Sequence, residues 1–123
     1  MTRILVIDDE ALVRWALGMA LEHAGYEVIE GENGIVGLER LIADGADLAI
    51  VDLIMPECDG FQTIEDIRGR FPDLPIVAIT GGGPAGVQSP LKRAEALGAD
   101  HGVSKPIDKN TLIEVVSKAL AGR

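Results

Sequence analysis

Residues 4–10 read ILVIDDE: four consecutive aliphatic residues, three of them β-branched, lead directly into two aspartates and a glutamate. An uninterrupted aliphatic run of this length is typical of a strand that is buried on both faces, as in a parallel sheet covered by helices. Over residues 11–24 apolar residues then recur at helical spacing, and Gly25 supplies a stop. The chain therefore opens with a strand–helix unit whose carboxylates stand at the end of the strand.

The same unit recurs along the rest of the chain. Four more short apolar runs predict strands at 28–29, 48–51, 76–79 and 101–104. Helical patterns follow them: one capped by Asn33, one around 61–67, one at 91–97 and one capped by Asp108. The helix after Asn33 is expected to carry four aliphatic residues on one face, namely Ile35, Leu38, Leu41 and Ile42.

Five strand–helix units in 123 residues predict an α/β fold built on a doubly wound, five-stranded parallel sheet with helices on both faces. This length suits one domain, which we expect to span residues 1–123. Ligands of such folds bind at the carboxyl ends of the strands. The side chains at those ends are therefore the first candidates for function.

Charge and composition restrict the classes of partner. The chain has 11 Lys and Arg against 20 Asp and Glu, a formal net charge of −9. This balance argues against direct binding to nucleic acid or to an anionic membrane surface. One cysteine, Cys58, forms no internal disulfide, and no apolar run approaches the roughly 18 residues of a membrane span. We expect a soluble, cytoplasmic domain.

Polar residues with complementary chemistry follow four of the predicted strands: Asp8 and Asp9, Asp52, Thr80 and Lys105. Any one of these aspartates alone is explained as well by helix capping as by function. Three carboxylates that converge in one crevice, however, need a cation between them, and Mg²⁺ prefers oxygen ligands. A hydroxyl and an ammonium beside them suit phosphoryl transfer, in which an aspartate can itself be the nucleophile.

These residues sit within segments that resemble the receiver domain of two-component response regulators. The segments are ILVIDDE (4–10), VDLIMP (51–56), DG (59–60), IT (79–80) and KP (105–106), in family order over essentially the whole chain. The resemblance implies a flavodoxin-like (β/α)5 fold with strand order 2-1-3-4-5. It also implies a phosphorylation-dependent signalling switch rather than an enzyme that turns over a separate substrate.

The resemblance assigns roles to the matching positions. Asp52 would accept a phosphoryl group from a histidine kinase or a histidine phosphotransfer protein. Thr80 would move to hydrogen-bond that group, and Lys105 would pair with one of its oxygens. The peptide bond between Lys105 and Pro106 would be cis.

The resemblance also implies a Mg²⁺ site. Asp9 and Asp52 would bind the ion directly, together with the backbone carbonyl of Ile54. Asp8 would act mainly through water.

The chain departs from the family at its output side. Receivers usually carry an aromatic residue three positions before the lysine, where this chain has Gly102. The simplest interpretation is drift at an output face that signals in another way. The alternative is that the signal passes through the glycine-rich loop 81–86. That loop also matches G-x-G-x-x-G, but its place after the fourth strand argues against a dinucleotide site.

Trp15 and Met19 lie on the predicted first helix, opposite its core stripe. Isolated exposed apolar residues are common on protein surfaces, so this pair carries no function by itself. The family resemblance offers the alternative that the pair helps to dock the phosphodonor.

Two other functions remain open. An aspartyl-phosphate phosphatase of the haloacid dehalogenase type would need a second aspartate where this chain has Ile54. A receiver-like interaction module that is never phosphorylated would usually lack a residue of the acidic pocket, and none is missing here. The cognate kinase and the downstream protein or output domain cannot be read from the sequence.

Overall fold

A computed structural model of the chain describes residues 1–55, 59–81 and 90–122. Five strands alternate with five helices. In chain order they are β1 (Arg3–Ile7), α1 (Ala11–His23), β2 (Glu27–Gly31), α2 (Gly34–Asp44), β3 (Leu48–Asp52), α3 (Gly60–Arg70), β4 (Ile76–Thr80), α4 (Pro90–Leu97), β5 (His101–Ser104) and α5 (Lys109–Ala121). Among the described residues, no helix is long and apolar enough to cross a membrane.

The strands form one parallel sheet in the order β2-β1-β3-β4-β5. Both the predicted fold class and the predicted strand order are confirmed. The register pairs Ile7 at the end of β1 with Val51 near the end of β3, and Asp52 with Ile79. The carboxyl ends of these three strands therefore lie side by side, which is the arrangement that a shared site at this edge requires.

Alternation along the strands divides the core into two layers. In β1, Leu5 and Ile7 face a layer formed with α2, α3 and α4, whereas Ile4 and Val6 face a layer formed with α1 and α5. All four side chains are fully buried. The continuous aliphatic run at 4–7 has its physical basis here, because each face of the strand has its own helical cover.

The aliphatic face predicted for α2 lies only partly in the core. Only Leu41 is fully buried, whereas Ile35 is 66% and Ile42 49% exposed. The helix instead turns Gly34 and Gly37 inward, where an added Cβ would collide with Thr63 and Ile7 respectively. Glycine allows α2 to approach the sheet and α3 closely, so its larger aliphatic residues are displaced to the surface.

The first helix shows a smaller deviation of the same kind. Leu12 belongs to the apolar pattern predicted for residues 11–24, yet it is 80% exposed.

The capping predictions for Asn33 and Asp108 are confirmed, since their side chains accept hydrogen bonds from the backbone N–H groups of Val36 and Thr111.

Arg68 ties the far end of α3 to the sheet, a role that sequence patterning did not indicate. Its guanidinium donates to the backbone carbonyls of Leu74 at 2.7 Å and Gly98 at 2.6 Å, and it contacts the Asp100 carboxylate at 3.2 Å. Asp100 in turn accepts from the backbone N–H of Ile76 at 2.8 Å. This largely buried network joins the entries to β4 and β5.

Replacing this guanidinium should destabilise the fold. We expect Arg68→Met to keep the aliphatic packing but lower the free energy of unfolding by about 2 to 3 kcal/mol, because partly buried carbonyls and a carboxylate lose a charged donor. Urea denaturation measures the change. Arg70→Met, at an exposed position of the same helix, should stay within about 0.5 kcal/mol of the parent. Equal effects of the two substitutions would contradict a structural role for the Arg68 network.

Candidate functional site

Polar side chains that are almost inaccessible to solvent meet at the carboxyl edge of the sheet. Asp8 follows β1, Asp52 ends β3 and Thr80 ends β4, and their exposures are 0%, 2% and 2%. Parallel pairing of the three strands brings residues far apart in sequence to one crevice. Burial of two carboxylates in one place is costly unless cations or hydrogen bonds compensate for their charge.

Lys105 supplies that compensation from the end of β5. Its Nζ lies 3.2 Å from Asp8 Oδ2 and 3.5 Å from Asp52 Oδ2, so one ammonium bridges both carboxylates. The Lys105 backbone N–H donates to the carbonyl of Thr80 at 2.6 Å, extending the β4–β5 pairing to the crevice. The peptide bond from Lys105 to Pro106 is cis, as the family resemblance implied.

The electrostatics of the crevice make Asp52 harder to ionise than an ordinary aspartate. Burial raises the pKa of Asp52 to about 6, and the nearby Asp8 carboxylate adds to this, whereas Lys105 and the Ile54 backbone N–H oppose it. For Lys105, burial disfavours the charged form, but the Asp52 and Asp8 carboxylates outweigh it and raise its pKa above the ordinary value. The ammonium of Lys105 is therefore held as a positive charge beside the two buried carboxylates.

A carboxylate cluster suited to a divalent cation lies at the start of this crevice. One oxygen each from Asp8, Asp9 and Glu10 lies within 4.8 Å of the others. The turn is fixed because the Glu10 backbone N–H donates to Asp8 Oδ1 at 2.9 Å. Carboxylate oxygens of graded exposure, from buried Asp8 to exposed Glu10, fit the partly hydrated coordination that Mg²⁺ retains in proteins.

The segment after β3 orients Asp52. The backbone N–H of Ile54 donates to Asp52 Oδ1 at 3.3 Å, while the Ile54 side chain is 61% exposed beside the crevice. Asp59 caps α3 by accepting from the Phe61 backbone N–H at 2.8 Å. At Gly60 an added Cβ would collide with the backbone of Leu53, so only glycine lets α3 begin this close to the strand end.

Thr80 carries an unused hydrogen-bonding group. Its Oγ1 is buried and has no hydrogen-bond partner among the described residues. Buried hydroxyls are normally paired, so this group at a strand end has hydrogen-bonding capacity that the described residues do not use. Asp8, Asp52, Thr80 and Lys105 thus surround one crevice, with Asp9 and Ile54 at its margin.

Sequence reasoning missed two residues that shape the crevice. Arg14, one turn into α1, donates to the Asp8 backbone carbonyl at 2.7 Å and pairs with Glu30 at 3.0 Å. It fixes the turn that carries the acidic cluster. Glu10 belongs to that cluster and contributes to the raised pKa of Lys105. The available signals were a third consecutive acid after β1 and an arginine close behind it.

The position without the family's aromatic residue is filled from α4. A Cβ added to Gly102 in β5 would lie 2.8 Å from Cδ2 of Leu91 and 3.1 Å from its Cβ. Leu91 therefore occupies the volume that a side chain at residue 102 would need. The predicted loop route at 82–86, and Cys58, lie outside the described residues.

A second feature adjoins the crevice along α1. Leu12, Trp15 and Met19 are 80%, 64% and 54% exposed, in agreement with the predicted exposure of Trp15 and Met19. One groove runs from Trp15 and Met19 to His23 and Lys109, and a neighbouring one runs from Leu12 to Lys105. An apolar surface thus leads from α1 to Lys105 at the edge of the crevice.

Known proteins resemble this chain in sequence and in fold. The family model described as "Response regulator receiver domain" matches residues 4–117. The chemotaxis protein CheY of Treponema pallidum is 31% identical over 121 residues, which cover 96% of this chain and 82% of CheY. The transcriptional regulatory protein GlrR of Escherichia coli K12 is 34% identical over 119 residues, 95% of this chain but 26% of GlrR. The crystal structure of the NtrX receiver domain from Brucella abortus superposes with a TM-score of 0.90 at 27% identity, covering 98% of this chain and 99% of that domain.

The chain spans 24–31% of the length of several curated relatives. Activities in the names of those longer proteins belong to them as wholes. The part shared with the solved receiver domain is the fold, a five-stranded parallel sheet with helices on both faces. On this sequence match and this fold, the chain belongs to the response regulator receiver domain family of two-component systems.

Proposed function

We propose that the chain is a phosphorylation-dependent switch in which Asp52 accepts a phosphoryl group from a histidine kinase or a histidine phosphotransfer protein. The observation that carries this proposal is the environment of Asp52. A nearly inaccessible carboxylate faces an ammonium at 3.5 Å, and the buried hydroxyl of Thr80 at the neighbouring strand end has no hydrogen-bond partner within residues 1–55, 59–81 and 90–122. A phosphoryl group on Asp52 would give both groups an oxygen to bind.

In the proposed step, one Asp52 carboxylate oxygen forms a bond to phosphorus while the bond from phosphorus to the donor's imidazole nitrogen breaks. The nitrogen keeps the electron pair of that bond. Lys105 offsets the charge that accumulates on the phosphoryl oxygens, and the Thr80 hydroxyl donates to one of them. Such transfer depends on positioning and charge neutralisation, which side chains fixed at strand ends provide.

Receiver domains bind Mg²⁺ at their acidic pocket, and the oxygen-rich turn of this chain fits that ion. In this proposal Asp9, Asp52 and the Ile54 carbonyl hold the metal, and Asp8 acts mainly through water. Bound Mg²⁺ would neutralise negative charge on the carboxylates and on the phosphoryl oxygens. Arg14 and the Glu10 backbone N–H hold the turn of Asp8 in place.

In this proposal the chain is a switch that takes part in its own phosphorylation and has no separate turnover substrate. It would act in the cytoplasm, together with the histidine kinase that phosphorylates it. Two features weigh against the other functions. Ile54 cannot serve as the second acid of a haloacid dehalogenase phosphatase, because its side chain has no ionisable group. A module that is never phosphorylated would not need an intact pocket in which Lys105 bridges two buried carboxylates.

The apolar face of α1 is the proposed docking surface for the phosphodonor. Trp15 and Met19 are exposed on the side of the fold from which a groove leads through Leu12 and Pro106 to Lys105. A helix seated there would bring its phosphohistidine to the mouth of the crevice. Aromatic residues on such surfaces often contribute most of the binding energy.

Phosphorylation should be visible in the intact mass of the protein. After incubation with acetyl phosphate and Mg²⁺, we expect one phosphoryl adduct, because Asp52 is the carboxylate that faces both Lys105 and the Thr80 strand end. The adduct should disappear in Asp52→Asn and when a chelator removes the metal. An adduct that persists in Asp52→Asn would overturn the assignment of the phosphoacceptor.

The raised pKa of Asp52 predicts a pH-dependent stability in Mg²⁺-free buffer. Between the ordinary value of 3.8 and about 6, the folded protein binds a proton that the unfolded chain has lost, so the free energy of unfolding falls as pH rises through this window. Asp52→Asn removes this loss. At pH 7.5 the variant should be more stable than the parent by about 1 to 3 kcal/mol, since one pKa unit equals about 1.4 kcal/mol, and the difference should shrink toward pH 4.

Urea denaturation at the two pH values measures this effect. Asp73→Asn, at an exposed carboxylate outside the crevice, provides the control and should not be stabilised at pH 7.5. If Asp52→Asn stabilised the fold equally at both pH values, burial of a charge at Asp52 could not be the cause.

The docking surface can be separated from the chemistry by the choice of donor. Trp15→Ala should slow phosphoryl transfer from a protein donor by about tenfold, which is the size expected for losing one aromatic anchor. Transfer from acetyl phosphate, which needs no docking, should be unchanged. Stopped-flow or quench kinetics with each donor would measure both rates. Equal slowing with both donors would place the defect in the crevice instead.

A further inference from the structure

A second apolar groove lies on the opposite side of the sheet, between α2 and α3. One wall carries Ile35, Leu38 and Ile42, and the other carries Gln62 and Asp66. Ile35 and Ile42 are 66% and 49% exposed, an unusual position for large aliphatic side chains in such a small core-rich fold. The groove has a volume of about 340 Å³.

The geometry of α2 accounts for this exposure. Its inner face is made of Gly34, Gly37 and Leu41, and these residues already satisfy the contact with the sheet and with α3. Ile35 and Ile42 therefore form an exposed apolar stripe, beside Leu38, which packs in part against the core. Ile35 and Ile42 are seven residues apart, which corresponds to about 10 Å along a helix. This spacing equals two turns of a partner helix laid alongside.

The charges around the groove have one sign. Glu39 lies on the α2 wall, Asp66 on the α3 wall and Asp59 at the α3 N-terminus, and no lysine, arginine or histidine lines the groove among the described residues. Neither Glu39 nor Asp66 makes an ion pair within the described part of the chain.

The apolar face of α1 has the reverse character. Its grooves contain His23, Lys105 and Lys109, and no carboxylate lines them among the described residues. The acidic lining of the α2–α3 groove is therefore not simply a result of the net charge of −9, because the apolar grooves along α1 have no acidic lining among the described residues. The two faces suit partners of different charge.

We propose that the groove between α2 and α3 binds an amphipathic helix of a partner protein whose apolar stripe is flanked on both edges by lysine or arginine. The apolar stripe would cover Ile35, Leu38 and Ile42. The flanking cations would pair with Glu39 on one wall and Asp66 on the other, which fixes the helix along the groove. This is the helix-in-groove mode of recognition, with electrostatics selecting the partner.

This site is separate from the phosphodonor surface. The α2–α3 groove belongs to the layer that covers Leu5 and Ile7, whereas α1 covers Ile4 and Val6 on the other face of the sheet. Both surfaces can be occupied at once, so the inference does not depend on the proposed phosphorylation. The backbone of Asp59, at one end of the groove, forms an isolated antiparallel β-bridge with Ile54. This bridge connects the groove to the segment after Asp52.

A synthetic 18-residue helix provides the probe, with a leucine stripe flanked by lysines. Titration into the full chain, followed by the methyl NMR signals of its isoleucines, should shift Ile35 and Ile42 first. A peptide with glutamates in place of the lysines should bind at least about tenfold more weakly at low salt. Ile42→Ser should abolish the binding of both peptides, and its exposed position leaves the fold intact.

The charge requirement is tested by a matched pair of double variants. Glu39→Gln with Asp66→Asn should weaken binding of the lysine peptide by at least about fivefold, in line with two exposed charge pairs at low salt. Glu22→Gln with Asp73→Asn removes the same number of exposed charges away from the groove and should change binding by less than about twofold.

Three results would overturn the proposal. The first is equal binding of the two peptides, and the second is equal weakening by the two double variants. The third is a shift of Ile35 and Ile42 signals on dilution without peptide, which would assign the groove to a second copy of the chain. A failure of phosphorylation would leave these outcomes unaffected.

Discussion

The contact of one ammonium with two buried carboxylates organises the carboxyl edge of this fold. Asp8 and Asp52 have almost no access to water, and at the distances set by neighbouring strands their charges repel each other. Lys105, from the far side of the sheet, lies within 3.5 Å of both. The three residues are separated by more than forty positions along the chain, so only the parallel register of the strands can bring them together.

Lys105 compensates for the buried negative charge of the crevice only in part. Burial drives the pKa of Asp52 upward, and the lysine limits this rise without cancelling it. A further positive charge nearby would therefore stabilise the ionised form of Asp52. A modification that removed the charge of Asp52 would remove the cost of burying it. The Thr80 hydroxyl, which has no hydrogen-bond partner in the part of the chain that the structure describes, lies at the same edge. An incompletely compensated charge and an unused hydrogen-bonding group are therefore neighbours at the carboxyl end of the sheet.

Local sequence signals predicted the parts of the fold that depend on short-range chemistry. The aliphatic runs located the strands, the side chains of Asn33 and Asp108 marked two helix starts, and the polar residues at strand ends marked the crevice. Apolar periodicity did not predict which residues of α2 are buried, because it takes no account of how closely glycines allow a helix to approach its neighbours. The hydrogen bonds of Arg68 could not be predicted from sequence patterns, because their acceptors are backbone carbonyls that become neighbours only after folding.

The packing of Leu91 on Gly102 links two positions that otherwise look independent. A side chain at residue 102 competes with Leu91 for one volume. The contact under 3.0 Å is to Leu91 Cδ2, the end of a side chain that can rotate, whereas Leu91 Cβ and Cγ lie at 3.1 Å. A larger residue in β5 therefore needs a different leucine rotamer or a smaller residue at 91, and the smaller residue alone would leave a cavity over the glycine. The space available in β5 thus depends on the side chain that α4 places over it.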